Sequence, residues 1–387
     1  MLATSSSSRI LPSICRQLCA STRTLAGAEQ RELRYERHGD PREVVTLVKS
    51  SAPNPALKPN EVAIEFLAAP INPADINQIQ GVYAVKPPLP AVGGNEGVAR
   101  IQQVYGVTIA KENVQTGSSN VGLKVGQWVI PSRSGVGTWR DRAVLSASDL
   151  IALPDGLAVE AAATFQVNPP TAYRMLVDFA TLQKGDVVIQ NGANSAVGRY
   201  VIQICRLRGY RSVNIVRDRP DIDSLKSELT ALGADVVVTE EEFAKPCDLR
   251  RNQACTELCW RSRHASALCG SGTPRSFGHV WWNVQTAAVD PNWTAHLQRL
   301  CTGRNAMDDE LQDIRICGFW VSHWYTYEEH REERRRMYDE IGDWYKSGQL
   351  VQPPFETHPA ERYSDCLKTI LDGTAKKKQI LLFSPQH

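Results

Sequence analysis

A loop suited to phosphate binding lies at 191–198, where the sequence is NGANSAVG. Gly192 and Gly198 occupy the outer positions of a dinucleotide-binding pattern, and Ser195 stands in place of the middle glycine. Small residues there let backbone N–H groups approach a pyrophosphate at the start of a helix. Glycine turns of this kind also exist merely to pack a helix on a strand, so the context matters. The loop directly follows a buried-type strand, which indicates a dinucleotide cofactor.

A second chemical signal follows the next strand, in the turn RDRP at 217–220. Proteins that bind NAD carry an acidic residue there for the ribose hydroxyl. This turn instead offers Arg217 and Arg219, whose guanidinium groups can bind a 2′-phosphate in bidentate fashion. A solvated surface turn is the alternative interpretation. The pattern favours NADPH over NADH.

The elements around these residues alternate between strand and helix. Strands are predicted at 186–190, 212–216 and 234–238, and the helices between them end at Gly209 and Gly233. This order predicts a doubly wound parallel sheet of the Rossmann type. By contrast, the region from about 31 to 153 is rich in strand patterns with Gly and Pro between them.

The composition is that of an ordinary soluble chain. There are 387 residues, 42% hydrophobic and 22% charged, and the net charge is only +2. This balance excludes a nucleic-acid-binding protein or a polybasic membrane protein. No segment approaches 18 consecutive apolar residues, so no transmembrane span is predicted. The length suggests two domains.

The first 28 residues resemble a targeting segment. They contain three arginines, six serines and no acidic residue, since the first carboxylate is Glu29. This composition predicts a mitochondrial transit peptide and a location in the matrix. An N-terminus without a function is the alternative.

A β-rich domain followed by a Rossmann domain is similar to the medium-chain dehydrogenase/reductase superfamily. Its zinc enzymes need Cys and His ligands in the first domain. Between Glu29 and Leu153 there is no cysteine, and His38 is the only histidine, so catalytic zinc is excluded. The resemblance implies an α/β fold, with a GroES-like β-rich catalytic domain at 29–165, completed by 353–387, and a Rossmann domain at 166–352.

Narrower motifs resemble the mitochondrial trans-2-enoyl-thioester reductases. These motifs are APINPADINQIQGVYAVKPPLPAVGGNEGVA, QVNPPTAYRML, VIQNGANSAVG, NIVRDRPDI and GFWVSHW. The resemblance implies an enzyme that uses NADPH to reduce enoyl thioesters of acyl carrier protein or CoA in mitochondrial fatty acid synthesis. Hydride would add to C3, and Tyr83 would stabilise the enolate and help to protonate it. A tyrosine suits this role because its hydroxyl donates a hydrogen bond and stays protonated near neutral pH.

The same resemblance implies the residues that contact NADPH. They are Asn168, Asn194, Ser195, Ala196, Val197, Arg217, Asp218, Arg219, Phe319, Trp320, Val321, Ser322 and Lys378. Trp320 would also line the acyl pocket, unless its indole belongs to the core. Lys378 stands in a basic run and could instead be part of a solvated tail. The resemblance further implies a homodimer, provided that the Rossmann domain is intact.

Residues 247–310 do not fit this pattern. They hold five of the ten cysteines and four of the nine tryptophans, without sustained helix or strand periodicity. Their Cys and His spacings match no compact zinc site.

The genetic code offers an explanation for this segment. Tryptophan has the single codon TGG, so Trp281–Trp282 read one nucleotide later give Gly-Gly. So shifted, GHVWWN permits VTYGGM, CTELCWR permits ALNCVGG and DPNWT permits TPTGP, all of which resemble the family.

The hypothesis is that 247–310 is translated out of frame; a genuine alternative exon or an insertion is the competing explanation. If the chain exists as written, we expect two central strands and a cofactor loop to be missing, which would weaken NADPH binding. Two rival functions therefore stay open. One is a zinc-free quinone or enone reductase, and the other is a non-catalytic remnant of the enzyme.

Overall fold

The computed structural model describes residues 29–51, 56–105, 122–244 and 319–383, together with the backbone of a strand at 279–281. The predicted transit peptide lies outside the described residues. So does most of the segment 247–310, and the hypothesis about its reading frame therefore stays a prediction.

The N-terminal half is built from two largely antiparallel sheets, and the C-terminal residues complete the larger one with a parallel pair of strands. The strands of the two sheets are β1 (Glu29–Tyr35), β2 (Val45–Ser51), β3 (Glu61–Pro70), β4 (Ala91–Val92), β5 (Val98–Val104), β6 (Trp128–Pro131), β7 (Arg142–Ser146), β8 (Leu150–Ala152), β13 (Phe355–Pro359) and β14 (Lys378–Leu382). β1 pairs with β2 and β4 in the small sheet, and the larger sheet has the order β13-β14-β3-β5-β6-β8, with β7 also paired to β3. Because β14 pairs with β3, the end of the chain returns to the half in which it began.

The other half is a parallel sheet of order β11-β10-β9-β12. Its strands are β9 (Val187–Gln190), β10 (Arg211–Val216), β11 (Val236–Thr239) and β12 (His279–Trp281). The helices of the described chain are α1 (Pro41–Val44), α2 (Pro73–Gln80), α3 (Val159–Ala163), α4 (Asn168–Val177), α5 (Ala196–Arg208), α6 (Ile222–Leu232), α7 (Glu240–Ala244), α8 (Val321–Trp324), α9 (Arg331–Lys346) and α10 (Tyr363–Leu371). The predicted α/β fold, GroES-like sheets beside a doubly wound parallel sheet, is confirmed.

The predicted strand–helix alternation is also confirmed, to within two residues at each strand end. α5 ends at Gly209 and α6 at Gly233, and both glycines adopt left-handed backbone conformations, with φ of 73° and 110°. Glycine accepts this conformation without steric cost, which is why these two positions end helices.

One part of the expectation for the aberrant segment needs correction. The sequence predicts that two central strands are missing if the chain exists as written, yet one strand from this segment, β12, pairs with β9 in parallel, from His279 opposite Val188 to Trp281 opposite Gln190. A strand ladder is formed by backbone groups, so its pairing does not require a particular side-chain pattern. At these three residues the sheet therefore continues past β9.

Hydrophobic packing joins the two halves. One cluster brings Ala68, Val98 and Ile130 of the larger antiparallel sheet against Tyr200 and Ile204 of α5. A smaller cluster fills the space between α5, α6 and the parallel sheet; it consists of Ala193, Ile202, Val216, Leu225, Leu229 and Ala234. Within the described residues, no helix has both the length and the apolar character needed to cross a bilayer.

The small cluster generates a stability prediction. Ile202 is fully buried there, so Ile202→Ala removes packed methylene groups and is expected to lower the free energy of unfolding by about 3 kcal/mol. Urea unfolding followed by far-UV circular dichroism measures the change. The matched control is Val177→Ala, because Val177 is 47% exposed. An equal loss of stability in both variants would contradict the assigned core.

Candidate active site

Tyr83 lies where two distant segments of the chain meet. It follows α2, and its backbone N–H donates to the carbonyl of Asn77 at 3.2 Å. Trp320, which precedes α8, donates its indole Nε1–H to the Tyr83 hydroxyl oxygen at 2.8 Å. The two rings meet edge to face, with 5.6 Å between their centroids. The phenol is half-buried and Trp320 is 37% exposed, so both side chains are reachable from solvent.

Two serines extend this contact. The Ser322 hydroxyl hydrogen-bonds to Tyr83, and Ser134 Oγ donates to Ser322 Oγ at 2.9 Å. Burial and the charge of Asp75 raise the pKa of Tyr83, although the hydrogen bonds of Trp320 and Ser322 oppose that rise. The phenol therefore stays protonated at neutral pH. Since Trp320 can only donate, the Tyr83 proton is left to be donated elsewhere.

The predicted cofactor loop opens α5 in the way that a phosphate site requires. Ser195 caps the helix, and its Oγ accepts the backbone N–H of Gly198 at 3.1 Å. A Cβ on Gly198 would lie only 2.7 Å from the Ala193 backbone. The backbone of Gly192 has a φ of +57°. These constraints explain the glycine positions, and they leave the positive end of the helix dipole facing the loop.

The loop and the RDRP turn lie at one edge of the parallel sheet. β9 and β10 are neighbouring parallel strands, so the segments that follow them emerge side by side. The N–H of Ala193 donates to the carbonyl of Ile215 at 3.3 Å, which ties the loop to the end of β10. Arg217 is exposed, and the buried Nε of Arg219 has no hydrogen-bond partner among the described residues. The exposed guanidinium group of Arg217 can therefore be reached by a phosphate, and Arg219 lies two residues further along the same turn.

Lys378 comes from the other half of the molecule. It is the first residue of β14, and its ammonium group donates to Asn72 Oδ1. Two residues earlier, Lys376 Nζ lies 3.3 Å from Asp221 Oδ2, and Asp221 belongs to the segment just after the RDRP turn. This ion pair brings the start of β14 next to the turn. Lys378 is thus part of a strand and not of a solvated tail.

The structure brings most of the predicted site residues into two groups. One group joins Tyr83 with Trp320 and Ser322, and the other places Asn194 to Val197 beside Arg217 to Arg219. Phe319 and Val321 instead support their segment, because Phe319 packs edge to face on Phe179 at 5.8 Å and Val321 is buried. Asn168 is buried at the first turn of α4.

Sequence reasoning missed several polar residues that the structure places behind the site. They are Asn72, Asp75, Gln78, Asn95, Glu96 and Ser134. A usable signal was present, because Asn72 and Glu96 interrupt otherwise apolar or glycine-rich runs. Polar side chains in such runs are buried only when hydrogen-bonded partners compensate for the lost water.

Gly198 provides a test of the loop. Gly198→Ala is expected to displace the Ala193 backbone and to weaken NADPH binding by about tenfold, equivalent to about 1.4 kcal/mol. Titration of NADPH fluorescence measures the affinity. Gly209→Ala is the control, because it strains a helix end away from the loop and should lower stability alone. Equal affinities in the two variants would contradict the loop assignment.

The molecule is similar to a group of known reductases. Residues 58–155 match the family model described as the alcohol dehydrogenase GroES-like domain. A mitochondrial enoyl-[acyl-carrier-protein] reductase of Caenorhabditis elegans is 40% identical over 92% of this chain and 96% of its own length. The human protein of the same description is 38% identical over 92% and 89%.

A solved structure points the same way. The mitochondrial 2-enoyl thioester reductase Etr1p/Etr2p heterodimer of Candida tropicalis superimposes with a TM-score of 0.70 at 28% identity, over 92% of this chain and 100% of that one. With close identity along nearly the whole chain and a shared architecture, this protein belongs to the mitochondrial enoyl-[acyl-carrier-protein] reductase family of the medium-chain dehydrogenase/reductase superfamily.

Proposed function

We propose that this protein reduces trans-2-enoyl thioesters to saturated acyl thioesters with NADPH. The observation that carries the proposal is the protonated Tyr83 hydroxyl, whose oxygen accepts from Trp320 and whose proton is left for a substrate. Family membership supplies the reaction class, and the site geometry supports the roles that we propose for the residues.

Several features of the chain fit NADPH. The glycine-constrained loop and the N-terminus of α5 suit the pyrophosphate, and Arg217 and Arg219 suit the 2′-phosphate. Asn168 and Lys378 complete the proposed binding set. The bound cofactor supplies a hydride for C3 of the conjugated thioester. A solved relative described as an Etr1p/NADP/crotonyl-CoA complex has a TM-score of 0.67 at 27% identity, over 92% of this chain and 100% of that one.

In the proposed mechanism, Tyr83 donates a hydrogen bond to the thioester oxygen of the substrate. As negative charge develops there, the phenol O–H donates to it, and the proton is available for C2 as charge returns to carbon. Trp320 and Ser322 both hydrogen-bond to the phenol oxygen and so stabilise the charge that Tyr83 acquires when it gives up its proton. Trp320 also presents an apolar ring beside the phenol, which suits a wall of the acyl pocket.

The physiological setting follows from the family and from the first 28 residues. We place the enzyme in mitochondria, in the matrix, with acyl carrier protein or CoA carrying the enoyl group. A homodimer remains part of the proposal. The curated relatives are described as enoyl-[acyl-carrier-protein] reductases, which favours an enoyl thioester over a quinone as the substrate.

Removal of the phenol hydroxyl tests the mechanism. Tyr83→Phe is expected to lower kcat for crotonyl-CoA by about 100-fold or more, because the proton donor is lost, while the KM for NADPH stays nearly constant. The oxidation of NADPH at 340 nm reports the rate. Tyr105→Phe is the control, since Tyr105 is an exposed tyrosine at the end of β5. Full activity of the Tyr83 variant would refute its role.

Cofactor selectivity gives a separate test. The double variant Arg217→Ala and Arg219→Ala is expected to lose about 100-fold of its preference for NADPH over NADH, because two charge-assisted contacts to the 2′-phosphate disappear. The ratio of kcat/KM for the two cofactors measures it. Arg100→Ala, which removes an exposed arginine paired with Glu65, should leave the ratio unchanged. A preference retained by the double variant would assign the turn to solvent.

A further inference from the structure

Behind the site lies a buried group of amides and carboxylates that the proposed mechanism does not use. We refer to Asn72, Asp75, Gln78, Asn95 and Glu96 as the amide–carboxylate cluster. Asp75 and Glu96 are fully buried, and the three amides are 1% to 6% exposed. Burying a carboxylate carries a large desolvation cost, so the presence of two buried carboxylates behind the site suggests that they have a function.

Asn72 is held between two opposite charges. Its Nδ2 donates to Glu96 Oε2 at 2.8 Å, and its Oδ1 accepts from the Lys378 ammonium group. A reversed amide would present its NH2 group to the ammonium and its carbonyl to the carboxylate, and both contacts would be repulsive. The two charges therefore fix one orientation of the Asn72 side chain, and that orientation fixes the Lys378 amine.

The other oxygen of Glu96 connects to the proposed NADPH residue Asn168. Glu96 Oε1 accepts the backbone N–H of Val167 at 2.8 Å, and Val167 directly precedes Asn168 at the start of α4. Both oxygens of Glu96 thus face N–H donors. A carboxylate can accept from both donors, whereas a protonated acid would bring its own hydrogen into this arrangement.

The second arm of the cluster reaches the Tyr83 loop. Asp75 accepts from Asn95 Nδ2 at 2.7 Å, and Asn95 Oδ1 accepts the N–H of Gly135 at 2.7 Å. Gln78, which also hydrogen-bonds to Asn95, donates to the carbonyl of Val85 at 3.0 Å. Val85 lies two residues after Tyr83, and Gly135 follows Ser134. One buried cluster is therefore attached to every segment of the proposed site in this half of the molecule.

From this connectivity we propose that Asn72 and Glu96 are positioning residues, which fix the Lys378 ammonium group where NADPH binds and keep it in register with Asn168 and the Tyr83 loop. The inference rests on the proposed role of Lys378 as a cofactor residue. Neither Asn72 nor Glu96 needs to touch the substrate, because each acts through Lys378 or Val167.

The charges of the cluster are finely balanced. Burial raises the pKa of Glu96 to about 7 and that of Asp75 to about 6, against the opposing effect of Lys378 and the hydrogen bonds. Burial also lowers the pKa of Lys378, which the two carboxylates counteract. The other titratable groups that feel the charge of Glu96 are tyrosines with raised pKa values, which stay neutral: Tyr200 of α5, Tyr325 after α8, and Tyr338 and Tyr345 of α9.

The raised pKa of Glu96 has opposite consequences for the stability of the fold and for the hydrogen bonds of the cluster. The pKa of Glu96 is raised from its ordinary 4.5 to about 7, so its stabilising contribution is fully present below pH 4.5 and is lost as the pH rises through 7. The ionised carboxylate is therefore unfavourable for folding but is required by its two donors.

The experiment compares Glu96→Gln and Asn72→Ala with the wild-type chain. Both variants are expected to bind NADPH about tenfold more weakly, measured by fluorescence titration at pH 8. In Glu96→Gln, the loss of thermal stability between pH 4.5 and 7 should also shrink. We expect the wild-type kcat/KM to rise with pH near 7 as Glu96 ionises, and this rise should be absent in Glu96→Gln. Asp141→Asn is the matched control, because it removes a half-buried carboxylate that pairs with Arg31 at 2.8 Å, away from the site.

The outcomes are distinct. The proposal is overturned if both variants keep the wild-type NADPH affinity, or if they lose affinity only to the extent that Asp141→Asn does at a similar melting temperature. If Asn72→Ala does not fold, the isosteric Glu96→Gln decides the matter alone. Wild-type protein that binds NADPH but does not reduce crotonyl-CoA would refute the proposed reaction, while the affinity series would still test the positioning role.

Discussion

The hydrogen bond from the Trp320 indole to the Tyr83 oxygen sets the direction of the site's chemistry. An indole nitrogen can only donate, so the phenol oxygen must accept and the phenol proton must point to another acceptor. Tyr83 follows α2 in the GroES-like half, whereas Trp320 precedes α8, which contacts α4. The alignment of Tyr83, the proposed proton donor, is therefore determined by how the segments around α2 and α8 are held together.

The core gives that alignment its rigidity. The cluster that joins the halves packs the larger antiparallel sheet on α4, α5 and α9, and its Tyr200 and Tyr345 hydroxyl groups meet at 2.5 Å. Close-packed interiors deform little, so this core keeps the two halves of the molecule in a fixed relation to each other. The amide–carboxylate cluster complements this apolar packing, because hydrogen bonds specify orientation where apolar contacts alone do not.

The parallel sheet could be predicted because its signals are local. β9, α5 and β10 have buried runs of the expected length, and Gly209 ends the helix by a property of its own backbone. The tight turn at the start of α5 was predictable for the same reason, since Gly198 and the strand before it are close in sequence, whereas its role in cofactor binding stays a proposal. The assignment of Tyr83 came from resemblance, because a single tyrosine in a loop carries no periodic signal.

Local sequence patterns could not predict the contacts between segments that are distant in the chain. Lys378 meets Asn72 across 306 residues, and Trp320 meets Tyr83 across 237. Such pairs depend on how β14 returns to β3 and on where α8 lies, neither of which a sequence window contains. A polar residue such as Glu96 in a buried run signals that a partner exists, but only the fold identifies the partner as Asn72.

The strand at 279–281 shows why backbone and side-chain requirements have to be weighed separately. β9 has backbone N–H and C=O groups along both of its edges, and β10 forms hydrogen bonds with the groups of only one edge. β12 pairs with the other edge through its backbone, which any non-proline sequence in an extended conformation can provide. A cofactor turn, in contrast, needs small residues at set positions, as Gly198 demonstrates. At 279–281 an altered reading frame is therefore compatible with strand pairing, whereas a turn that requires small residues depends on the exact sequence.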